Sequence, residues 1–256
     1  MQRFYTWLLL LLLVSACTEK EAEKTSTSTQ ASENDAIFYA SLNQAIHLGQ
    51  YNGVLTVKEL KQHGSLGVGS TARLVEELVI IKGVAYGIPA NGNARELPDS
   101  TKVAFAAIKN FEPDDQLSID RRLTLKELEA YLDSVITKNT FAAIRVRGKF
   151  SSITYRTFNP QDKPFRPTDD VPEVVYNRSD IQGTMAGFFT PQSAEVLNSP
   201  VYHFHFVDQN RTTGGHVKDF VADQLDIEID YANELNVRLP DPALLRHIDL
   251  NKSVSE

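Results

Sequence analysis

Apolar and polar positions alternate along much of this chain, and strict alternation marks strands that bury one face. Residues 141–158 (FAAIRVRGKFSSITYRTF) alternate strongly and read as a hairpin, and residues 73–86 (RLVEELVIIKGVAY) read as a strand, a Lys82-Gly83 turn and a second strand. In residues 202–220, His203 and His205 share one strand face while Phe204 and Phe206 share the other. Further strands are predicted at residues 103–111, 181–190, 226–230 and 236–239. Helical spacing is brief by comparison. Residues 124–135 set Leu125, Leu128, Leu132 and Val135 on one stripe behind a Thr124/Glu127 capping box, and Thr56 with Glu59 forms a second box whose helix stops at Gly64. Residues 36–53 carry apolar side chains at broadly helical spacing, and residues 240–247 read as a short terminal helix or turn. The three prolines of residues 159–171 mark a connector. The expected class is α+β: β-rich, with mixed or antiparallel sheets in two closely associated subdomains, 36–158 and 181–256, and a few short helices.

Composition adds limits. At 256 residues, 42% hydrophobic and 23% charged, the chain has ample material for a core. A net charge of -7 argues against a nucleic-acid partner, because phosphate binding needs a basic face. The start differs from the rest: a basic opening, an apolar run over residues 7–14 and small residues before Cys17 resemble a bacterial lipoprotein signal, and the run is too short to span a bilayer. That resemblance implies that Cys17, the only cysteine, is lipidated and ties the protein to a membrane of the bacterial cell envelope, on the periplasmic side or the outer surface. Residues 18–35 are nearly free of apolar side chains and read as a flexible tether, so the folded domain covers residues 36–256.

The candidate chemistry lies in YHFHFVDQNRTTGGHVKDF, where three of the six histidines fall within fourteen residues. If the strand turns through DQNRTT and returns antiparallel, His216 comes to lie opposite His205, and three imidazoles converge as they do around catalytic Zn. His47 and His63 stand singly and read as structural or surface residues. Glu76 and Glu77 must face opposite sides of their strand, so one is expected in solvent and the other among apolar neighbours with an arginine or metal partner. Arg145, Arg147 and Arg156 are each able to hold a substrate carboxylate, and local sequence does not choose among them. The glycine-rich GSLGVG at residues 64–69 lacks the GxGxxG spacing and βαβ context of a phosphate loop.

Residues 183–219 resemble the α-acetolactate decarboxylase family, whose pattern runs GT-x-x-G-F-x-TP, Y-H-x-H-F and GGH-V-x-D. The likeness extends through NGVLTVKELKQHGSLGVGS, AIRVRGKF and NVRLP, about residues 38–240. It implies His203, His205 and His216 as Zn ligands, Glu77 rather than Glu76 as the active-site glutamate, and Arg156, in YRTF before the KP connector, as the active-site arginine. It also implies a homodimer and a 2-hydroxy-3-oxo acid substrate, 2-acetolactate, which would lose CO2 to give acetoin while the metal, acting as a Lewis acid, stabilises the enediolate. Glu76 departs from the family's glycine and adds charge beside the site. The family's acidic tail returns a glutamate to the site, for which Glu256 is the nearest candidate here. An HxH followed by a later His also occurs in cupin-like metal-dependent oxygenases and isomerases, but the GGHV segment, Glu77 and Arg156 favour the decarboxylase. A third reading, a metal-binding surface lipoprotein without catalysis, draws on Glu76 and the short tail.

Overall fold

The computed structural model describes residues 35–251; the signal segment with Cys17, the tether through residue 34, and Glu256 lie outside the described residues. In chain order the elements are β1 (Ala36–Ala40), α1 (Asn43–His47), β2 (Leu55–Thr56), α2 (Val57–Leu60), β3 (Leu66–Thr71), β4 (Glu76–Ile81), β5 (Val84–Pro89), β6 (Arg95–Glu96), β7 (Lys102–Lys109), β8 (Asp115–Ile119), β9 (Leu123–Thr124), α3 (Leu125–Val135), β10 (Phe141–Phe158), β11 (Glu173–Thr190), β12 (Val201–Asp208), β13 (Gly214–Ala232), β14 (Glu234–Arg238) and α4 (Pro242–Leu245). The architecture is α+β, rich in strand, as the alternation predicted. One sheet runs β14-β1-β7-β3-β4-β5-β6, with β2 on β7; only β1 and β14 pair in parallel. In the other, β10 pairs with both β11 and β13 while β12 pairs with both as well, which closes four long strands into a small barrel.

Strand parity decides what each face meets. Ile144, Val146, Phe150, Met185 and Phe206 point into the barrel, where Leu128 and Leu132 of α3 join them. The opposite face, carrying Ala143, Ala186, Phe188 and Val207, packs on Ile37, Val68, Val79 and Ala107 of the first sheet. Both capping boxes form: Thr56 and Thr124 each accept from the backbone of the glutamate three residues on, whose carboxylate accepts from the threonine N–H in return. The Lys82-Gly83 turn has positive φ at both residues, 51° and 76°, the twist that a two-residue hairpin needs.

Several expectations give way. Residues 141–158 form one eighteen-residue strand, not a hairpin, because register shifts near Phe150 bend β10 without reversing it. Residues 36–40 are a strand: β1 sits between β7 and β14 with both faces buried, so its continuous apolar run carries no alternation to read. GSLGVG is mostly strand β3, where a Cβ on Gly69 would lie 2.1 Å from the Phe105 carbonyl oxygen. The sheets do not divide at the connector, since β10 belongs to the barrel, β8 and β9 pair with its strand β13, and β14 returns to the first sheet.

Candidate metal centre

The site lies between the sheets, on the barrel's outer face. His203 and His205 project from β12 on the face that meets the first sheet, and the register sets His205 opposite His216 and His216 opposite Arg156. His203 Nε2 lies 3.0 Å from His205 Nε2, which lies 3.2 Å from His216 Nδ1. All three nitrogens fall within 4.8 Å of one another.

The donor set can be assigned from its partners. His205 Nδ1 lies 2.9 Å from the Leu78 carbonyl, which can only accept, so Nδ1 carries the proton and Nε2 presents a lone pair. Asn198 Nδ2 donates to Thr190 Oγ1 at 3.2 Å, which leaves its Oδ1 to accept from His203 Nδ1 at 2.8 Å. His203 Nε2 therefore also presents a lone pair, and two lone pairs 3.0 Å apart in a buried site repel unless a cation lies between them. Protonation does not relieve this: burial, helped by the charges of Arg156 and His47, pushes His203 down to about 3. Burial likewise holds His205 and His216 well below the usual imidazole value. Metal–nitrogen bonds of about 2.0 to 2.1 Å in a tetrahedron separate ligand nitrogens by roughly 3.3 Å, so the trio fits a small divalent cation.

Around the trio stand an acid and a base. Glu77, on β4, is buried, with Oε2 3.5 Å from His205 Nε2 and Oε1 accepting from Arg156 Nη1 at 2.5 Å. Burial pushes its carboxyl up to about 7 against the opposing pull of Arg156. Ser70 sits opposite Glu77 across the β3–β4 ladder, and its buried Oγ has no hydrogen-bond partner among the described residues. Arg156 is held by three groups: Glu77, Glu173 (Nε to Oε1, 3.1 Å) and the Phe158 ring, 4.2 Å beneath its guanidinium carbon. Phe105 lies alongside His203, with ring centroids 6.5 Å apart.

Five predicted residues therefore come together, His203, His205, His216, Glu77 and Arg156. The other two arginines do not join them: Arg145 and Arg147 both bind Glu228, at 2.6 and 3.3 Å, farther along the barrel. The expectation that one of the paired glutamates is solvated fails. Glu76 is 4% exposed and pairs with Arg95 on the far face of the first sheet, among Leu78 and Leu97, so its charge is neutralised away from the site. His63 stacks on Phe38, while His47, bonded to Thr168 Oγ1 at 2.9 Å, is near enough for its charge to act on His203. Sequence reasoning missed Asn198, Phe105, Phe158, Glu173 and Lys218. Lys218 alone left a signal, being two residues beyond His216 on the same strand face.

Comparison with known proteins places the chain in a family. Residues 37–252 match the family model of alpha-acetolactate decarboxylase. The chain is 31% identical to an alpha-acetolactate decarboxylase of Brevibacillus brevis, covering 93% of this chain and 85% of that protein, and 32% identical to one of Methanosarcina mazei, covering 87% and 78%. The crystal structure of alpha-acetolactate decarboxylase from Bacillus subtilis superposes with a TM-score of 0.82 at 30% identity, covering 85% of this chain and 94% of that one. By sequence and by structure alike, over nearly all of its folded length, this chain belongs to the alpha-acetolactate decarboxylase family.

Proposed function

We propose that this protein is a Zn-dependent decarboxylase that converts 2-acetolactate to acetoin and CO2, with His203, His205 and His216 holding the metal. The observation that carries the reading is the convergence of three imidazole nitrogens, those of His203 and His205 presenting lone pairs, beside the Glu77–Arg156 pair. A bound cation there supplies Lewis acidity toward a ketone and its neighbouring hydroxyl. Arg156 keeps Nη2 without a partner among the described residues, so it can orient the carboxylate that is to leave. When the bond to CO2 breaks, its electron pair moves toward the ketone and the former carboxyl-bearing carbon must gain a proton. Glu77, buried beside the trio with Oε2 3.5 Å from His205 Nε2, is the group placed to deliver it. The test is to measure metal content, CO2 and acetoin on purified protein given racemic 2-acetolactate. About one Zn per chain with stoichiometric products is expected, and no turnover after Zn reconstitution would overturn the assignment.

Attachment through a lipidated Cys17 completes the reading. It rests on the lipobox-like run before that residue and the polar tether after it. Cys17→Ser is expected to move the protein from the membrane fraction to the soluble fraction with its specific activity unchanged, as centrifugation and assay of both fractions will show.

A further inference from the structure

We propose that Glu173 is a positioning residue for Arg156, setting the guanidinium that meets the substrate carboxylate; this rests on the function proposed above. An arginine has five N–H donors in a fixed fork, and directing the two on Nη2 requires that the others be held. Glu77 takes Nη1 and the Phe158 ring supports the guanidinium plane, but both leave rotation about the long side chain's outer bonds open. Glu173 restrains it from the other side as an ion pair, its Oε1 3.1 Å from Nε.

The reach follows from register. Arg156 pairs with Val175 and Phe158 pairs with Glu173 across the β10–β11 ladder, so Glu173 is the diagonal neighbour of Arg156 on the same face, within reach of long side chains. On the other side β13 brings His216 opposite Arg156, and Lys218 follows on the same face and binds the second oxygen of Glu173. Three adjacent strands thus lay out the row Glu173–Arg156–His216, with Lys218 anchoring the glutamate. Stability does not explain the arrangement. Glu173 is about one-third exposed and Lys218 more so, and ion pairs that open to water contribute little to folding. Nor does Glu173 merely screen Arg156 from an anion, because Lys218 returns the positive charge that Glu173 removes.

The test compares wild type, Glu173→Ala, Glu173→Gln, Arg156→Ala and the double variant Glu173→Ala/Arg156→Ala. Readouts are kcat and KM for 2-acetolactate, Zn content, and calorimetric binding of 2-hydroxy-2-methylbutanoate, a 2-hydroxy acid that has no ketone and cannot be decarboxylated. Glu173→Ala is expected to keep its Zn, bind the probe about tenfold more weakly and lose about ten- to a hundredfold in kcat/KM. Glu173→Gln, which keeps the length of the side chain but not the charge that holds Nε, is expected to recover only part of both losses, and the double variant to be no worse than Arg156→Ala alone. Wild-type probe binding and turnover in Glu173→Ala would overturn the proposal. So would tighter probe binding, which marks a screening charge, or a loss that adds in full to that of Arg156→Ala. Wild type that fails to turn over 2-acetolactate overturns the proposed function instead, and the probe cycle still reads the Glu173–Arg156 coupling.

Discussion

Arg156 and His205 stand a few ångströms apart around Glu77, yet they act on different things, and single substitutions should separate them. His205→Ala removes one lone pair and leaves the Leu78 carbonyl without its donor, so metal content is expected to fall well below one per chain. Arg156→Ala leaves the donor set intact; undiminished metal content with kcat/KM reduced about a hundredfold or more is expected, read by metal analysis beside kinetics. The histidine trio was legible because parity on one strand and a short return fix three side chains with no knowledge of the rest of the fold. Asn198 and the Leu78 carbonyl, which set the tautomers, were not, since only the packing of β4 and the loop before β12 brings them there. Arg145 shows the same limit from the other side: nothing local distinguishes it from Arg156 until β13 supplies Glu228 as its partner. That partnership makes a pH prediction. The hydrogen bond from Arg145 holds the Glu228 carboxyl below its usual range, so the folded pKa lies below the unfolded one. The stabilisation is then present above about pH 4.3 and is lost as pH falls through the folded pKa. Glu228→Gln should cost about 1.5 to 3 kcal/mol at pH 7 by urea unfolding. The gap should close on acidification, and a gap that persists unchanged in acid would exclude the pair as its source.

At the scale of elements, what the sequence announced depended on how many faces each element buries. β5 buries one face more completely than the other, while α3 and β4, the latter buried on both faces, carry end signals, so their turn and cap were readable in advance. β1 and β3 are buried on both faces, so their patterns resemble a helix and a glycine loop respectively. The glycines of β3 have a packing cause: β7 approaches so closely that a Cβ at position 69 meets the Phe105 carbonyl. Phe105 in turn lies against His203, which ties strand spacing to the site. Gly69→Ala is therefore expected to destabilise the fold by about 1 to 3 kcal/mol, through overpacking that separates β3 from β7. It should also lower kcat more than an equally destabilising change on the barrel's far side. Thermal melts paired with kinetics will check this, and a variant of wild-type stability would show that the two strands can part freely.

For the whole molecule, the site works only if two sheets keep a fixed separation, because the histidines belong to the barrel and Glu77 to the first sheet. Apolar packing between Val79 and Val207 and their neighbours supplies adhesion without direction. Direction comes from ion pairs across the interface: Glu77 of β4 to Arg156 of β10 at the site, and Lys109 of β7 to Asp230 of β13 at 2.7 Å, the latter with both side chains at most 2% exposed. Asp230 also accepts the Glu112 N–H at 2.7 Å, which fixes the carboxylate from a second side. Burial raises the Asp230 carboxyl while Lys109 and that N–H pull it back down. Removing the cation as Lys109→Met leaves a buried carboxylate with less compensation, a change that costs about 3 to 5 kcal/mol in comparable settings. The sign of its pH dependence follows from the same balance. Without Lys109 the Asp230 pKa rises further, so the penalty should be greatest at neutral pH and diminish as acid protonates the carboxyl. The double variant Lys109→Met/Asp230→Leu, which removes both charges, should recover much of the lost stability. It should nonetheless retain a lower kcat than wild type, because the replaced contact is apolar and no longer fixes the lateral position of one sheet on the other. Full recovery of both stability and kcat in the double variant would show that apolar packing alone sets the register between Glu77 and the histidines.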